Sequence, residues 1–307
     1  MESFKARVKQ GVDFVLDFTE FIISWMNKTT RGALKRLAGF NPLWNQNVDM
    51  VVNKDGQPRT KEEFLANIKK TVEGTAIEKF FKDDPKFIEK LAEKAAALGE
   101  SEDSAICKED IFAKTAQVTL HQQVLYCDDS SSMKDSNKCE HRWTAQNELI
   151  NRIARVTTRI LPEGEGVYLR YISQTIEHSD SLKFEEIPRA IQTLKPSGNT
   201  PIGTNLKTKI LEPLVYSKLP YGLKRPILIS VITDGAPTKS VEKESTFVEA
   251  IEECGDRLEK NGLPRQSVKF LIGQVGTAED AKNFLSQLRN NTKIEDVVFV
   301  ATLGEQF

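Results

Sequence analysis

The spacing of hydrophobic positions changes part-way along the chain. Across residues 61–81 and 84–100, apolar side chains recur every three or four positions, which predicts amphipathic helices. Thr60 followed by Glu63 has the pattern of a capping box, so we expect a helix to begin there. From about Ile111 onward, short β-rich runs alternate with helical patterns, which is typical of a parallel sheet wrapped by helices.

Five runs in this second part predict strands, because they are short and rich in β-branched, leucine and aromatic residues. They are residues 122–127, 166–173, 225–232, 267–275 and 296–303. The run from Ile227 to Ile232 is apolar on both faces, as expected of a central parallel strand. The helical patterns between the runs cover residues 143–161, 184–194, 203–219, 243–262 and 278–291. We therefore predict an α/β fold with a doubly wound, mostly parallel sheet flanked by helices and preceded by a helical N-terminal region.

These patterns divide the chain into three segments. Residues 1–40 form an amphipathic helical segment, residues 41–114 a loop and helical region, and residues 115–307 the α/β domain. Between Phe14 and Met26, aromatic and aliphatic residues gather on one side of a helix and acidic residues on the other, with basic residues flanking it. Two interpretations stay open. The helix docks on this protein or on a sister copy, giving a homo-oligomer, or it lies on an anionic membrane surface.

The net charge and the spacing of the cysteines bear on the partners and the cellular location that we expect. A formal net charge of -1 supplies no basic field for nucleic acid, so we expect no nucleic-acid partner. The four cysteines are scattered singly without a CxxC pair, which is typical of free thiols. Asp13, Asp17 and Glu20 interrupt the apolar N-terminal run, which argues against a signal peptide or membrane span. We therefore expect a cytoplasmic protein.

Oxygen-bearing side chains stand beside three of the predicted strands and helices. Asp128, Ser130 and Ser132 follow the first strand, Thr200 precedes the helical pattern at 203, and Asp234 follows the strand at 225–232. In open parallel sheets, ligands gather beyond the carboxyl ends of the strands. Two carboxylates and three hydroxyls form a hard, all-oxygen set, which favours Mg²⁺ or Mn²⁺.

A cation held by only two charged ligands would keep much of its positive charge. An open coordination position should then attract an anionic oxygen from outside, most naturally the carboxylate of an Asp or Glu on a partner protein. The neighbouring Asp129 we interpret as a solvated loop residue.

The motifs "DDSSSM", "GNTPIGT" and "ITDGAPT" together resemble the metal-ion-dependent adhesion site of the von Willebrand factor type A domain. The resemblance covers about residues 115–307 and includes the order of the motifs, their spacing and their strand context. It implies a Rossmann-like doubly wound fold and a metal that the two serines of the first motif contact directly. It also implies contacts, direct or through water, from Asp128, Thr200 and Asp234. One departure is Asn199, which stands where many members of the family carry glycine.

These observations favour a binding module over an enzyme. We expect an adhesion or scaffold protein whose Mg²⁺ or Mn²⁺ is completed by an acidic residue of a protein ligand. A Mg²⁺-dependent phosphoryl-transfer or receiver-like enzyme is one alternative, because paired acidic residues also follow the first strand there. However, the chain has no GxxxxGK[ST] or GxSxG motif. A protein that associates with membranes through its N-terminal amphipathic helix is the other alternative.

Overall fold

The computed structural model describes residues 60–82, 85–99, 118–134, 141–276 and 278–301. These residues belong to two compact units. The first contains the described residues up to His121 together with Arg155–Glu165, and the second contains the remaining described residues from Gln122 onward. The expected amphipathic helix between Phe14 and Met26 lies outside the described residues. The division of the chain at residues 40 and 114 stays a prediction.

The described part of the first unit is helical, as its hydrophobic spacing predicted. Its helices are α1 (Lys61–Val72), α2 (Lys79–Lys82) and α3 (Lys86–Gly99). The capping box is confirmed: Glu63 N donates to Thr60 Oγ1 at 3.2 Å, and Thr60 N donates to the Glu63 carboxylate at 3.1 Å. Apolar side chains from the helices and from two later positions form one core, which includes Phe64, Ile68, Phe81, Ile88, Leu91, Leu120 and Ile160.

The second unit is an α/β fold built on a five-stranded sheet in which every strand is parallel. The strands are β1 (Gln122–Cys127), β2 (Tyr168–Tyr171), β3 (Ile227–Thr233), β4 (Val268–Gln274) and β5 (Val298–Ala301). Each strand falls on one of the five predicted runs. Every residue of β3 and of β4 is buried, as expected of central parallel strands, although β4 includes the charged residue Lys269.

The strand order β2-β1-β3-β4-β5 brings the ends of β1 and β3 together. After β1 the chain adds a strand on one side, and it then returns to add the remaining strands on the other side. Cys127 is paired with Ile232, and Asp128 N donates to the Ile232 carbonyl at 2.8 Å. The loops that follow β1 and β3 therefore start from neighbouring points on the same sheet edge, where open α/β sheets place their ligands.

Five α-helices flank this sheet in the described residues. They are α4 (Arg142–Arg159), α5 (Ile187–Gln192), α6 (Ile202–Leu206), α7 (Ser245–Lys260) and α8 (Glu279–Arg289). The helix expected over 203–219 is not continuous. It divides into α6, a π-helical segment at Lys207–Val215 and a 3₁₀ segment at Tyr216–Tyr221. Pro213 and Pro220 lie inside these last two segments, and proline lacks the N–H that a regular helix needs.

The sheet packs against helices on each of its faces. On one face, Val231 and Phe270 share a core with Phe247 of α7 and with residues of α6 and α8. A side chain at Gly203 of α6 would come within 2.5 Å of the Phe247 backbone nitrogen, so glycine allows the close approach of α6 and α7. On the opposite face, the ring of Tyr171 packs against Trp143 of α4, with ring centroids 5.8 Å apart.

Two sequence-based expectations concern single side chains and helix length. Cys127 and Cys254 are buried free thiols, as predicted, whereas Cys107 and Cys139 lie outside the described residues. Across the part of the chain that the structure describes, none of the helices combines the length and the apolar composition that crossing a membrane requires.

Candidate metal centre

Asp128 directly follows β1 and has no exposed surface. Its Oδ1 accepts from Ser130 N at 2.8 Å, and its Oδ2 accepts from Thr233 Oγ1 at 2.6 Å. The side-chain amide of Gln146 in α4 fixes the peptide of Asp128, accepting from its N–H at 3.1 Å and donating to its carbonyl at 2.7 Å. The orientation of Asp128 is therefore set by its own loop, by β3 and by α4.

The two serines of the first loop connect this carboxylate to the end of β3. Ser130 Oγ lies 2.9 Å from Ser132 Oγ, and Ser132 Oγ donates to Asp234 Oδ1 at 2.9 Å. Asp234 follows the last residue of β3 and is 1% exposed. Because Ser130 N also donates to Asp128, four of the five predicted site residues belong to one hydrogen-bonded network.

The loop that carries the fifth predicted residue packs directly against the first loop. Ser131 N donates to the Gly198 carbonyl at 3.1 Å, and Gly198 N donates to Ser131 Oγ at 3.0 Å. Ser197 N donates to the Asp129 carbonyl at 2.7 Å. Gly198 has a φ of +86°, a left-handed conformation that glycine adopts without strain, and this lets the loop lie against the first loop.

Thr200 is held at this edge by the loop that follows β3. Its N–H donates to Thr238 Oγ1 at 2.9 Å, and its carbonyl accepts from Thr238 N at 3.2 Å. Four residues further along that loop, the Glu242 carboxylate accepts from the N–H groups of Gly203 and Thr204, each at 2.9 Å. Thr200 is 5% exposed, and its hydroxyl makes no hydrogen bond to the other four site residues among the described residues. It is therefore positioned by its backbone and stands apart from the network.

The interpretation of Asp129 as a solvated residue is wrong. Asp129 is completely buried, and its carboxylate accepts from Ser173 N and Gln174 N, each at 2.7 Å. The Lys209 ammonium completes the cluster by donating to the carbonyls of Tyr171, Ser173 and Gln174. Asp129 therefore fixes the loop that follows β2. Its partners come from the loop after a neighbouring strand, so its own local sequence gives no sign of this role.

Sequence reasoning also missed a charged contact of the site. Arg142, the first residue of α4, donates from Nη1 to Asp234 Oδ2 at 2.6 Å and to the Ser132 carbonyl at 3.4 Å. Nothing in the local sequence distinguishes this arginine from the many basic residues of the surface. Two carboxylates and one guanidinium leave the centre with a negative balance.

Burial raises the pKa of the Asp128 carboxyl from 3.8 to about 6, and the negative charge of Asp234 acts in the same direction. Hydrogen bonds from Thr233 and Ser130 lower the pKa in part. The ionised form of Asp128 therefore costs free energy in this structure. A bound cation would favour that form, since it would place positive charge between the two carboxylates.

The donor set fits a small, hard cation. Every side-chain atom of the network that could bind a metal is an oxygen, which Mg²⁺ and Mn²⁺ prefer over sulfur or imidazole. With Mg–O bonds of about 2.0–2.1 Å, neighbouring ligands of an octahedron lie about 2.9 Å apart. The Ser130–Ser132 and Ser132–Asp234 oxygen pairs show this spacing. No group of three or more His, Cys, Asp or Glu residues that could hold a metal occurs in the described residues, so the hydroxyls would have to act as ligands.

Comparison with known proteins does not assign the chain to a family. No protein-family profile matches it, and no curated protein matches it. Among solved structures, the chain is similar to proximal thread matrix protein 1 from the mussel byssus, with 18% sequence identity and a TM-score of 0.39. The similarity covers 59% of this chain and 44% of the mussel protein. A TM-score this low supports no conclusion about fold or function.

Proposed function

We propose that the chain is a divalent-metal-dependent protein-binding module built on a doubly wound, Rossmann-like domain of the von Willebrand factor type A kind. The observation that carries this proposal is the hydrogen-bonded network of two carboxylates and two hydroxyls at the ends of β1 and β3. Ser130 and Ser132 bind Mg²⁺ or Mn²⁺ directly. The ion is further held, directly or through water, by Asp128, Thr200 and Asp234.

The charge balance of the site supports binding of an acidic partner. Among the five proposed ligands, Asp128 and Asp234 carry the negative charge, and Arg142 already neutralises part of it. A bound divalent ion supplies positive charge and an open coordination position. A carboxylate from an Asp or Glu of a partner protein brings the negative charge that the ion still lacks. The module therefore selects its partner through an acidic side chain and through contacts with the surrounding loops.

The surroundings of the two aspartates argue against the phosphoryl-transfer alternative. A nucleophilic aspartate needs an oxygen that can reach a phosphorus atom, but Asp128 and Asp129 are both completely buried. Both carboxylate oxygens of Asp128 accept hydrogen bonds, from Ser130 and Thr233. Both oxygens of Asp129 accept hydrogen bonds from the loop after β2. These contacts suit a rigid metal site, and we propose that the protein is not an enzyme.

Metal uptake by the full chain tests the first half of the proposal. We expect the wild-type chain to bind Mn²⁺, followed by electron paramagnetic resonance, and to release it to excess Mg²⁺. Ser132→Ala should weaken this affinity at least about tenfold, because it removes a ligand. Ser217→Ala is the matched control, since the Ser217 hydroxyl only donates to the Pro213 carbonyl. Equal uptake by the two variants would contradict the assignment of Ser132.

Peptide binding tests the second half of the proposal, which is that the metal-bound site takes an acidic side chain of a partner. Immobilised peptides that present a single Asp or Glu should retain the full chain in Mg²⁺, and peptides with Asn or Gln at that position should not. EDTA or Ser132→Ala should abolish the retention, whereas Ser217→Ala should leave it unchanged. Retention that survives EDTA, or that does not distinguish acid from amide, would show that the metal is not the binding element.

Three further expectations stay predictions. The helix between Phe14 and Met26, for which docking with homo-oligomer formation and membrane contact are the two open interpretations, lies outside the described residues. The cytoplasmic location was expected from the pattern of charges and cysteines. The absence of a nucleic-acid partner was expected from the net charge of -1.

A further inference from the structure

Arg142 occupies a position that is unfavourable for a cation. It is the first residue of α4, and no acidic residue stands in the first turn of that helix. The N-terminus of a helix carries partial positive charge, so a guanidinium there is repelled unless another group compensates. Asp234 supplies this compensation, because Arg142 Nη1 lies 2.6 Å from Asp234 Oδ2. The side chain of Arg142 is 19% exposed and that of Asp234 is 1% exposed, so water screens this ion pair only in part.

The backbone after β4 leaves room for this side chain. A Cβ atom at Gly276 would lie 2.7 Å from Arg142 Nε and 3.2 Å from its Cδ. Gly276 also has a φ of +77°, a conformation that favours glycine. The guanidinium is therefore seated between α4, the end of β3 and the loop after β4. In this position Arg142 Nη1 donates to Asp234, one of the proposed metal ligands.

We propose that Arg142 is a built-in counter-cation that competes with the divalent ion for Asp234 and thereby sets the metal affinity of the site. This inference rests on the proposed metal function. In the metal-free protein, Asp128 and Asp234 are buried close together, and Arg142 offsets their repulsion. A divalent ion bound to the same network would lie near the guanidinium and be repelled by it. Arg142 therefore lowers the affinity of the site for the metal.

The competition also couples the metal to its ligand. With Arg142 in place, the ion adds two positive charges beside an existing one, and this excess falls when an external carboxylate binds. The metal and an acidic partner should therefore bind cooperatively, each strengthening the affinity for the other. Removing the guanidinium should weaken this coupling, because the site can then hold the ion with less excess charge.

Two opposite effects distinguish competition from a purely structural role. If Arg142 competes with the metal, its removal lowers the stability of the metal-free protein and raises the metal affinity. If Arg142 only shapes the site, its removal lowers both quantities, since a distorted site binds metal less well. Measuring stability and affinity on the same variants therefore decides between the two.

The experiment compares Arg142→Gln and Arg142→Lys with the wild-type full chain, using Mn²⁺ affinity and the melting temperature in EDTA. Arg142→Gln should bind Mn²⁺ at least about tenfold more tightly and melt at a lower temperature without metal. Arg142→Lys keeps the charge and should stay close to the wild-type affinity. Arg257→Gln is the charge-matched control, because Arg257 pairs with Glu253 of α7 and not with the site.

Each outcome has a definite meaning. Unchanged or weaker Mn²⁺ binding by Arg142→Gln, with uptake by the wild type, overturns the inference and leaves the proposed function in place. Uptake by Arg142→Gln alone supports the inference and contradicts the proposed function of the wild-type chain. No uptake by any variant overturns both. If Arg142→Gln unfolds in EDTA, refolding on addition of Mn²⁺ supports the inference, and failure to refold, with the affinity of Arg142→Lys reduced, overturns it.

Discussion

Replacing Asp128 by Asn should stabilise the metal-free protein while abolishing metal uptake. Burial and the charge of Asp234 raise the pKa of Asp128 from 3.8 to about 6, so its ionised form is disfavoured in the folded state. The contribution of the protonated Asp128 carboxyl to stability is fully present below 3.8, the pKa in the unfolded chain. It is lost as the pH rises through about 6, the pKa in the folded protein. A shift of about two pH units, at about 1.4 kcal/mol each, corresponds to roughly 3 kcal/mol.

The surroundings of Asp128 can accept the amide. Its oxygen can replace Oδ1 as the acceptor for Ser130 N–H. Its NH₂ group can donate to Thr233 Oγ1, which then donates to the Gly235 carbonyl, already 3.2 Å away. We therefore expect Asp128→Asn to keep the hydrogen bonds of the site and to remove the cost of the buried charge.

The assay is urea unfolding of both proteins in EDTA at several pH values. Asp128→Asn should exceed the wild type in free energy of unfolding by about 2–3 kcal/mol at pH 7, and by less than about 1 kcal/mol at pH 4. Comparing the two proteins at each pH cancels the titration of all other groups. An Asn variant less stable than the wild type at pH 7, or a difference independent of pH, would refute the reasoning.

Two other substitutions test the architecture that supports the site. Asp129→Ala leaves two N–H groups of the loop after β2 without their acceptor. It should therefore lower the free energy of unfolding, measured by urea titration, by about 2–4 kcal/mol. A loss below about 0.5 kcal/mol would indicate that water replaces the carboxylate. Gly203→Ala should lower the free energy of unfolding, measured by thermal unfolding, by about 1–3 kcal/mol, because the added Cβ would overlap the backbone of α7. Gly235→Ala is its control, since a Cβ there meets no atom within 4 Å, and equal losses for the two would contradict the close approach of α6 and α7.

The positions of the strands could be predicted because each falls on a short run rich in β-branched, leucine and aromatic residues. The clearest is β3, because a central parallel strand is buried on both faces and its run is therefore mostly apolar. The helix over 203–219 was predicted less well. Its overall apolar spacing fits one helix, but Pro213 and Pro220 remove backbone donors and divide it into three segments.

The first loop of the site could be predicted because its residues follow a strand at alternating positions. The structure joins Asp128, Ser130 and Ser132 to Asp234, which lies far along the chain at the end of β3. The groups that hold this network could not be predicted. Gln146 reaches the site because α4 lies beside the start of the loop after β1, and the sequence around Gln146 gives no sign of this proximity.

The same limit explains the error at Asp129. A polar residue in a serine-rich loop is most simply interpreted as solvated. Its burial depends on β2 lying next to β1, which brings the N–H groups of Ser173 and Gln174 to its carboxylate. Contacts of this kind, made between neighbouring strand ends, follow from the order of strands in the sheet and not from spacing along the chain.

The most direct test of the metal centre is the anomalous diffraction of Mn²⁺ in crystals of the full chain. We expect one anomalous peak within about 2.0–2.3 Å of both Ser130 Oγ and Ser132 Oγ, with the oxygens of Asp128, Thr200 and Asp234 around it. We expect the peak to disappear in crystals of Ser132→Ala. A peak at another position, or no peak at saturating Mn²⁺, would contradict the account.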